Sequence, residues 1–336
     1  MQIYRLVLLA SLLGLLGMEM AQGQDRLRLT GVNLAGADFG EGHLPGIFGK
    51  HYTYPVSQEM DYFTAKGMNV FRLPFRWERL QRQLGGPLDS TELARIKAFV
   101  SYASQKQAQV ILDPHNYARY QGQIIGDKVP VAAFADFWSR LAQEFSGNRR
   151  VIFGLMNEPH NMPSELWLTG ANAAIAAIRK TGAKNIILVP GNGWSGAHSW
   201  SENYYGTPNS VVMAGVRDPL ENYAFDVHQY LDRDFSGHSA SCVSRKVGAD
   251  RLRRITAWMR EQGTRAFLSE FGAGKNARCL EALDNMLNYM DENEDIWLGW
   301  TYWAAGPWWG DYIYTLEPKD GVDRAQMAVL QRHMAR

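Results

Sequence analysis

Short apolar runs recur along this chain, and between them lie longer stretches where apolar residues return every three or four positions. The runs fall at residues 29–34, 69–74, 109–114, 151–156, 185–190, 223–228, 265–269 and 296–302. They are rich in Val, Ile, Leu and Phe and mostly lack polar alternation. Continuous apolar strands predict a parallel sheet buried on both faces. The amphipathic stretches 56–66, 90–106, 130–145, 165–181, 249–262 and 277–293 predict helices, and 324–333 a last one. Pro130 suits a first helical turn, where its missing N–H costs nothing. Pro163 and Ser164 mark another helix start and Gly182 its end. Residues 191–221, rich in Gly, Ser, Asn and Trp, predict mostly loop with a short helix. Eight β/α units in succession predict an α/β fold of the (β/α)8 type, a TIM barrel, as a single domain over residues 24–336. An open doubly wound sheet is the alternative. No G-x-G-x-x-G follows the first run, which weakens a dinucleotide-binding version.

The N-terminus reads differently. Arg5 precedes an apolar run at 6–16, broken only by Ser11 and Gly14, with small residues at Ala21 and Gly23. This predicts a secretory signal over residues 1–23, cleaved near Ala21 to Gly23, and a secreted product, extracellular or periplasmic, with no membrane contact after cleavage. An uncleaved anchor is the competing reading, although a span needs about 20 apolar residues. Export changes the meaning of the only cysteines, Cys242 and Cys279. A pair in an exported chain predicts a disulfide, with two buried thiols as the alternative. A structural zinc wants four ligands, so the pair predicts no metal. Lys plus Arg number 35 against 34 Asp plus Glu. That balance argues against a nucleic-acid partner. No Pro/Ser/Thr-rich linker marks off a further module, and a monomer is expected.

In a barrel of this kind the C-terminal strand ends form the functional face. The runs end in Arg72-Leu73-Pro74-Phe75, Asp113-Pro114-His115-Asn116-Tyr117, Asn157-Glu158-Pro159, Asp226-Val227-His228-Gln229-Tyr230, Ser269-Glu270-Phe271-Gly272 and Trp300-Thr301-Tyr302-Trp303. Ionisable side chains thus gather at one rim, which a core alone would not need. Glu158 and Glu270 follow the fourth and seventh runs, on opposite sides of an eight-strand ring. Glycoside cleavage needs such a pair: one carboxyl holds a proton for the leaving oxygen and the other attacks the anomeric carbon. Taken singly, either glutamate reads as a salt-bridge partner. Taken together, at strand ends beside His and Tyr, they read as a catalytic pair. His115, His198 and His228 lack the His-x-His or His-Glu-x-x-His spacing of a zinc hydrolase.

The set Phe-Arg-Leu-Pro, Asn-Glu-Pro, Asp-Val-His-Gln-Tyr and Ser-Glu-Phe-Gly resembles glycoside hydrolase family 5. The runs Ile111-Leu112-Asp113-Pro114-His115-Asn116-Tyr117 and Pro190-Gly191-Asn192-Gly193-Trp194-Ser195-Gly196-Ala197-His198-Ser199-Trp200 are similar to its endoglucanase branch. The resemblance spans residues 31–303. It implies a retaining endo-β-1,4-glucanase that needs no cofactor and acts on a β-1,4-glucan. It implies Glu158 as acid/base and Glu270 as nucleophile. Arg72 and Tyr230 would hold Glu270 ionised and oriented, and His228 would stand beside Glu158. Asn157 would bind the sugar 2-hydroxyl, His115 another hydroxyl, and Trp303 would lie under the sugar. The family pattern is broken at Ser269, where many relatives carry Thr or Gly.

Sugar rings present flat C–H faces, so aromatic platforms are expected. Trp194, Trp200, Trp303, Trp308 and Trp309 fall in loops after the fifth and eighth runs. Trp77 and Trp309 read equally as packing, and His198 equally as a loop hydrogen-bonder or a substrate contact. Asn33, His43, Asn116 and Tyr117 complete the candidate sugar contacts. Mannan, xyloglucan or mixed-linkage glucan is the alternative substrate. A non-catalytic carbohydrate-binding barrel would lack one carboxylate, and a membrane-tethered accessory protein would keep the N-terminal run.

Overall fold

The computed structural model describes residues 29–334; the expected signal segment lies outside them. Eight parallel strands close into a barrel: β1 (Leu29–Leu34), β2 (Val70–Phe75), β3 (Gln109–Pro114), β4 (Val151–Gly154), β5 (Ile187–Pro190), β6 (Tyr223–His228), β7 (Ala266–Glu270) and β8 (Trp297–Ala305). Each strand pairs with its sequence neighbours, and β8 returns to β1. All eight apolar runs are strands, with ends within three residues of the sequence reading. The open sheet is excluded by closure.

The six main amphipathic stretches form helices outside the ring: α1 (Ser57–Ala65), α2 (Ser90–Gln105), α3 (Val131–Phe145), α4 (Ser164–Lys180), α5 (Val247–Glu261) and α6 (Ala277–Asp291). Pro130 and Pro163 sit one position earlier than a first-turn proline, as the caps of α3 and α4. The crossover from β5 to β6 is mostly loop, with a short helix at Asn209–Val212 and a 3-10 turn at Met213–Gly215. Two small elements escaped the sequence pattern: a helical turn at Trp77–Leu80 and a hairpin pairing Arg119–Tyr120 with Gln123–Ile124. Both are too short to show a period.

The barrel interior is layered. Leu29, Val70, Ile111, Ile152, Leu188, Ala224 and Phe267 pack together as an apolar plug contributed by seven strands. A strand's side chains alternate, so residues two positions on share the same face. Two positions above Val70, Ile111, Ala224 and Phe267 stand Arg72, Asp113, Asp226 and Ser269, all buried. The plug therefore closes one end with apolar side chains and leaves a polar layer facing the other. That polar layer is the base of the site.

Cys242 and Cys279 form a disulfide with Cα atoms 5.2 Å apart. It ties the loop after β6 to the first turn of α6. Among the described residues, no helix is long and apolar enough to cross a membrane.

Candidate active site

Arg72 is the centre of the polar layer. Its guanidinium donates to Glu270 Oε1 at 2.5 Å, to Asn33 Oδ1 and Asn157 Oδ1 at 2.8 Å each, and pairs with Asp113 Oδ2 at 2.9 Å. Five strand ends thus converge on one planar fork, a geometry a lysine could not reproduce. Tyr230 donates its phenol to the other oxygen of Glu270 at 2.9 Å. Its ring is backed by Gly237 (φ 74°), where a Cβ would meet that ring at 2.8 Å. Burial alone would push the Glu270 carboxyl up. The charges of His228, Arg72 and His115, with the Arg72 hydrogen bond, overcome this and hold it well below the usual carboxylate range.

Glu158 enters from the turn after β4. It has φ 42°, in the left-handed region that favours glycine. Pro159 behind it disfavours the ordinary helical alternative, so the Asn-Glu-Pro turn swings the glutamate toward the barrel axis. Its Oε1 lies 2.8 Å from His228 Nδ1, and the same nitrogen is 3.6 Å from Glu270 Oε2. One carboxylate oxygen from each glutamate and one ring nitrogen of His228 all lie within 4.8 Å of one another. The pairing of β6 with β7 slips here: Val227 faces Leu268 but His228 faces Glu270. Such a bulge re-aims side chains at a functional rim. Burial pushes His228 down, but Glu270, Glu158 and Asp226 raise it to about 9. Glu158, His228 and Glu270 thus form a charge-linked triad.

Asn157 Oδ1 is taken by Arg72, whereas its buried Nδ2 has no hydrogen-bond partner among the described residues. His115 Nδ1 is held by Asp113 Oδ2 at 2.8 Å, and its ring stacks on Trp303 with centroids 5.5 Å apart. Rings then continue along the rim: Tyr117 is 5.4 Å from His115, His160 is 5.6 Å from Tyr117, and Trp194 stacks on His160 at 4.8 Å. Trp194 is 42% exposed and Trp308 44%, so both offer an open face. Trp194 and Ser195 have φ 58° and 55°, a turn that lifts the indole off the loop.

Several sequence candidates are placed elsewhere. Trp200 is 1% exposed, packed against Phe225 and Trp258, so it presents no platform. Trp77 is buried among Tyr120, Phe134 and Phe137. Asn33 is buried beneath the site, donating to the carbonyls of Ser269, Thr301 and Tyr302 while accepting from Arg72. Asn116 spends its amide on Trp77 N–H and Glu78. These two asparagines brace the site and do not reach a sugar. His43 stacks on His51 at 4.5 Å in the exposed loop after β1. His198 stacks on Phe235 at 3.8 Å and hydrogen-bonds Gln229; burial lowers it to about 4. Trp309 is partly buried against Phe39 and Tyr312, with its indole N–H on Ala305.

Other residues at the site were not singled out from sequence. His160 supports Trp194 and lies two positions beyond Glu158. Tyr312 hydrogen-bonds the Trp303 side chain and lies near enough to Glu270 to feel its charge. The only sequence signal for Tyr312 was its place in a loop rich in Gly, Trp and Tyr.

A closed parallel barrel with two carboxylates across a polar mouth, rimmed by exposed rings, defines a glycoside-cleaving class of enzyme. The chain belongs to the cellulase family, glycosyl hydrolase family 5, whose sequence model matches residues 23–306. It is 42% identical over 301 residues to "Endoglucanase 3" of Humicola insolens, covering 89% of this chain and 75% of that one. It is 40% identical over 319 residues to "Endo-beta-1,4-glucanase A" of Emericella nidulans, covering 94% of each. Among solved structures, XacCel5A in complex with cellopentaose superposes with a TM-score of 0.90 at 49% identity, over 92% of this chain and 99% of that one. The Pseudomonas stutzeri endoglucanase Cel5A in complex with cellobiose gives 0.84 at 35% identity, over 92% of each.

Proposed function

We propose that this enzyme cuts internal β-1,4 bonds of glucan by double displacement, with Glu270 as nucleophile and Glu158 as general acid/base. The observation that carries the reading is the approach of the two carboxylates to within 4.8 Å. Retaining enzymes hold their carboxyls about 5–5.5 Å apart, whereas inverting ones need about 6.5–9.5 Å to admit a water. The environments also divide the roles. Glu270 is clamped by Arg72 and Tyr230 and stays ionised, as an attacking carboxylate must. Glu158 is the more open of the two and reaches the rim, where a leaving oxygen departs.

In the first half-reaction Glu270 bonds to the anomeric carbon as the glycosidic C–O bond breaks, and Glu158 gives its proton to the departing oxygen. In the second, Glu158 takes a proton from water, the water oxygen bonds to the same carbon, and the bond to Glu270 breaks. Configuration is retained. The free Nδ2 of Asn157 donates to the sugar 2-hydroxyl, a contact that strengthens as the ring gains positive charge. Trp303 and His115 hold the sugar at the cleavage point, and Tyr117, Trp194 and Trp308 extend the track. The paired cysteines fit a chain exported after loss of residues 1–23 and acting as a monomer. The N-terminal residue of the secreted product and its sedimentation check those two points.

The test pairs viscosity with reducing-end release on carboxymethyl-cellulose, mannan, xylan and barley glucan. A fast viscosity fall on the cellulose derivative, abolished in Glu270→Ala with oligosaccharide binding retained, is expected. Turnover near wild type in Glu270→Ala rejects its role. A preference for mannan rejects the glucan reading.

A further inference from the structure

His228 is approached from both sides. Nδ1 faces the two glutamates, as described above. Nε2 faces Asp226 Oδ1, 3.6 Å away and buried under the site. That distance is too long for a hydrogen bond and short enough for a strong charge interaction in a buried setting. The same Asp226 oxygen accepts the hydroxyl proton of Ser269. Ser269 is the residue skipped by the pairing slip opposite His228, which frees its side chain to turn toward β6. It is also the position where the chain departs from the family pattern. The four side chains form one line: Ser269, Asp226, His228, Glu158.

We infer that Asp226, tethered by Ser269, is a positioning residue for the reaction: it keeps His228 protonated on both nitrogens, with Nε2–H toward its own carboxylate and Nδ1–H toward Glu158. The consequence is electrostatic. When Glu158 has given its proton to the leaving oxygen, its new carboxylate meets an imidazolium N–H at 2.8 Å. When water attacks in the second half-reaction, the water's proton returns to Glu158. His228 keeps its two protons throughout, so the device adds no net proton transfer. The charged and titratable groups around it are Glu158 from the β4 turn, Glu270 on β7, Arg72 on β2 and Asp113 on β3. His115 also faces Glu270. Burial raises Asp226 to about 6; His228, Arg72 and the Ser269 hydroxyl oppose this, while Asp113 adds to it. Removing its charge leaves His228 supported by the two glutamates alone.

This inference rests on Glu158 as acid/base, so its test includes a readout that needs no turnover. Asp226→Asn, Ser269→Ala and Ser269→Thr are compared by kcat and KM against pH, and by nitrogen-15 resonances of the His228 ring in the free enzyme. Asp226→Asn is expected to move the alkaline limb of kcat down by about one pH unit, with the His228 titration moving alongside and KM nearly constant. Ser269→Ala shifts both the same way by less, and Ser269→Thr restores them because it keeps the hydroxyl. An unmoved His228 titration in Asp226→Asn overturns the inference, as does a shifted titration with an unmoved alkaline limb. If Asp226→Asn does not fold, the Ser269 pair decides: identical profiles for Ser269→Ala and Ser269→Thr overturn it. Equal losses of Glu158→Gln on cello-oligosaccharides and on aryl glucosides with good leaving groups would instead show that the Glu158 assignment itself has failed.

Discussion

Replacing Arg72 by Met keeps an unbranched stem and removes the guanidinium bonded to Glu270. Three buried carboxylates, Glu270, Asp113 and Asp226, feel that guanidinium, and two of them pair with it at 2.5 and 2.9 Å. At an effective dielectric near 20, unit charges about 4 Å apart attract by roughly 4 kcal/mol, equivalent to about three pKa units. Neighbouring His228 continues to hold Glu270 down, so an upward shift of about one to three units is expected for the nucleophile. On acidification a nucleophile that must be ionised then loses activity at a higher pH than before, and the acidic limb of kcat/KM moves up. Stability falls too, because one partner of a buried ion pair has gone, a loss of about 3–5 kcal/mol. Calorimetry and a pH–rate profile on a soluble cello-oligosaccharide measure both. Arg72→Lys should fall between, since an ammonium keeps the charge but not the four-way fork. An unshifted acidic limb and an unchanged melting temperature in Arg72→Met would refute the claim that Arg72 organises the site.

Glu158→Gln should lose at least about a hundredfold on cello-oligosaccharides and much less on aryl glucosides with good leaving groups, for which protonation matters little; equal losses on both exclude the acid role. Reduction of Cys242–Cys279, which close a loop with a separation of 37 residues, should cost about 4 kcal/mol of stability with kcat intact, read as a lower melting temperature. Trp194→Ala should raise KM for long oligosaccharides about tenfold and leave short ones unaffected, taking ~60 Å² of ring face at ~25 cal/mol per Å². Glu59 is pushed up to about 7 by burial. An acid whose folded pKa is raised takes up a proton on folding, so it lowers stability as pH rises from about 4.5 through 7. Glu59→Gln should therefore melt higher than wild type at pH 8 and equally at pH 4, and the opposite order would contradict the burial argument.

The strands were legible because a strand buried on both faces leaves an uninterrupted apolar run. Arg72 was legible as a charge near the end of the second run, and its role beside Glu270 came from the family resemblance. The glutamates and their immediate supports could be ordered along the chain by counting strands. Direction at the rim was harder. Trp77 follows β2 and Trp303 lies near the end of β8, yet one packs outward beneath α3 and the other stacks on His115 at the mouth. Asn33 and Asn157 are the same residue type at strand ends, and only Asn157 leaves an N–H unclaimed. Such differences depend on turn geometry, as at Glu158 and Trp194 with positive φ, and on the slip between β6 and β7. Composition and period carry neither.

The Arg72 fork has one further consequence for how such a barrel can change. Because its partners come from β1, β3, β4 and β7, the nucleophile takes its coordinates from the ring itself and none from the crossover 191–221. That crossover carries the exposed Trp194, but its Ser195 and Ala197 also bond the end of β6, at the Asp226 carbonyl and at the N–H and carbonyl of His228, so changes beside Trp194 reach His228 through the backbone while the Arg72 contacts to Glu270 stay with the strands. The His228 side of the site is thereby tied to the crossover, and the seat of Glu270 to the ring.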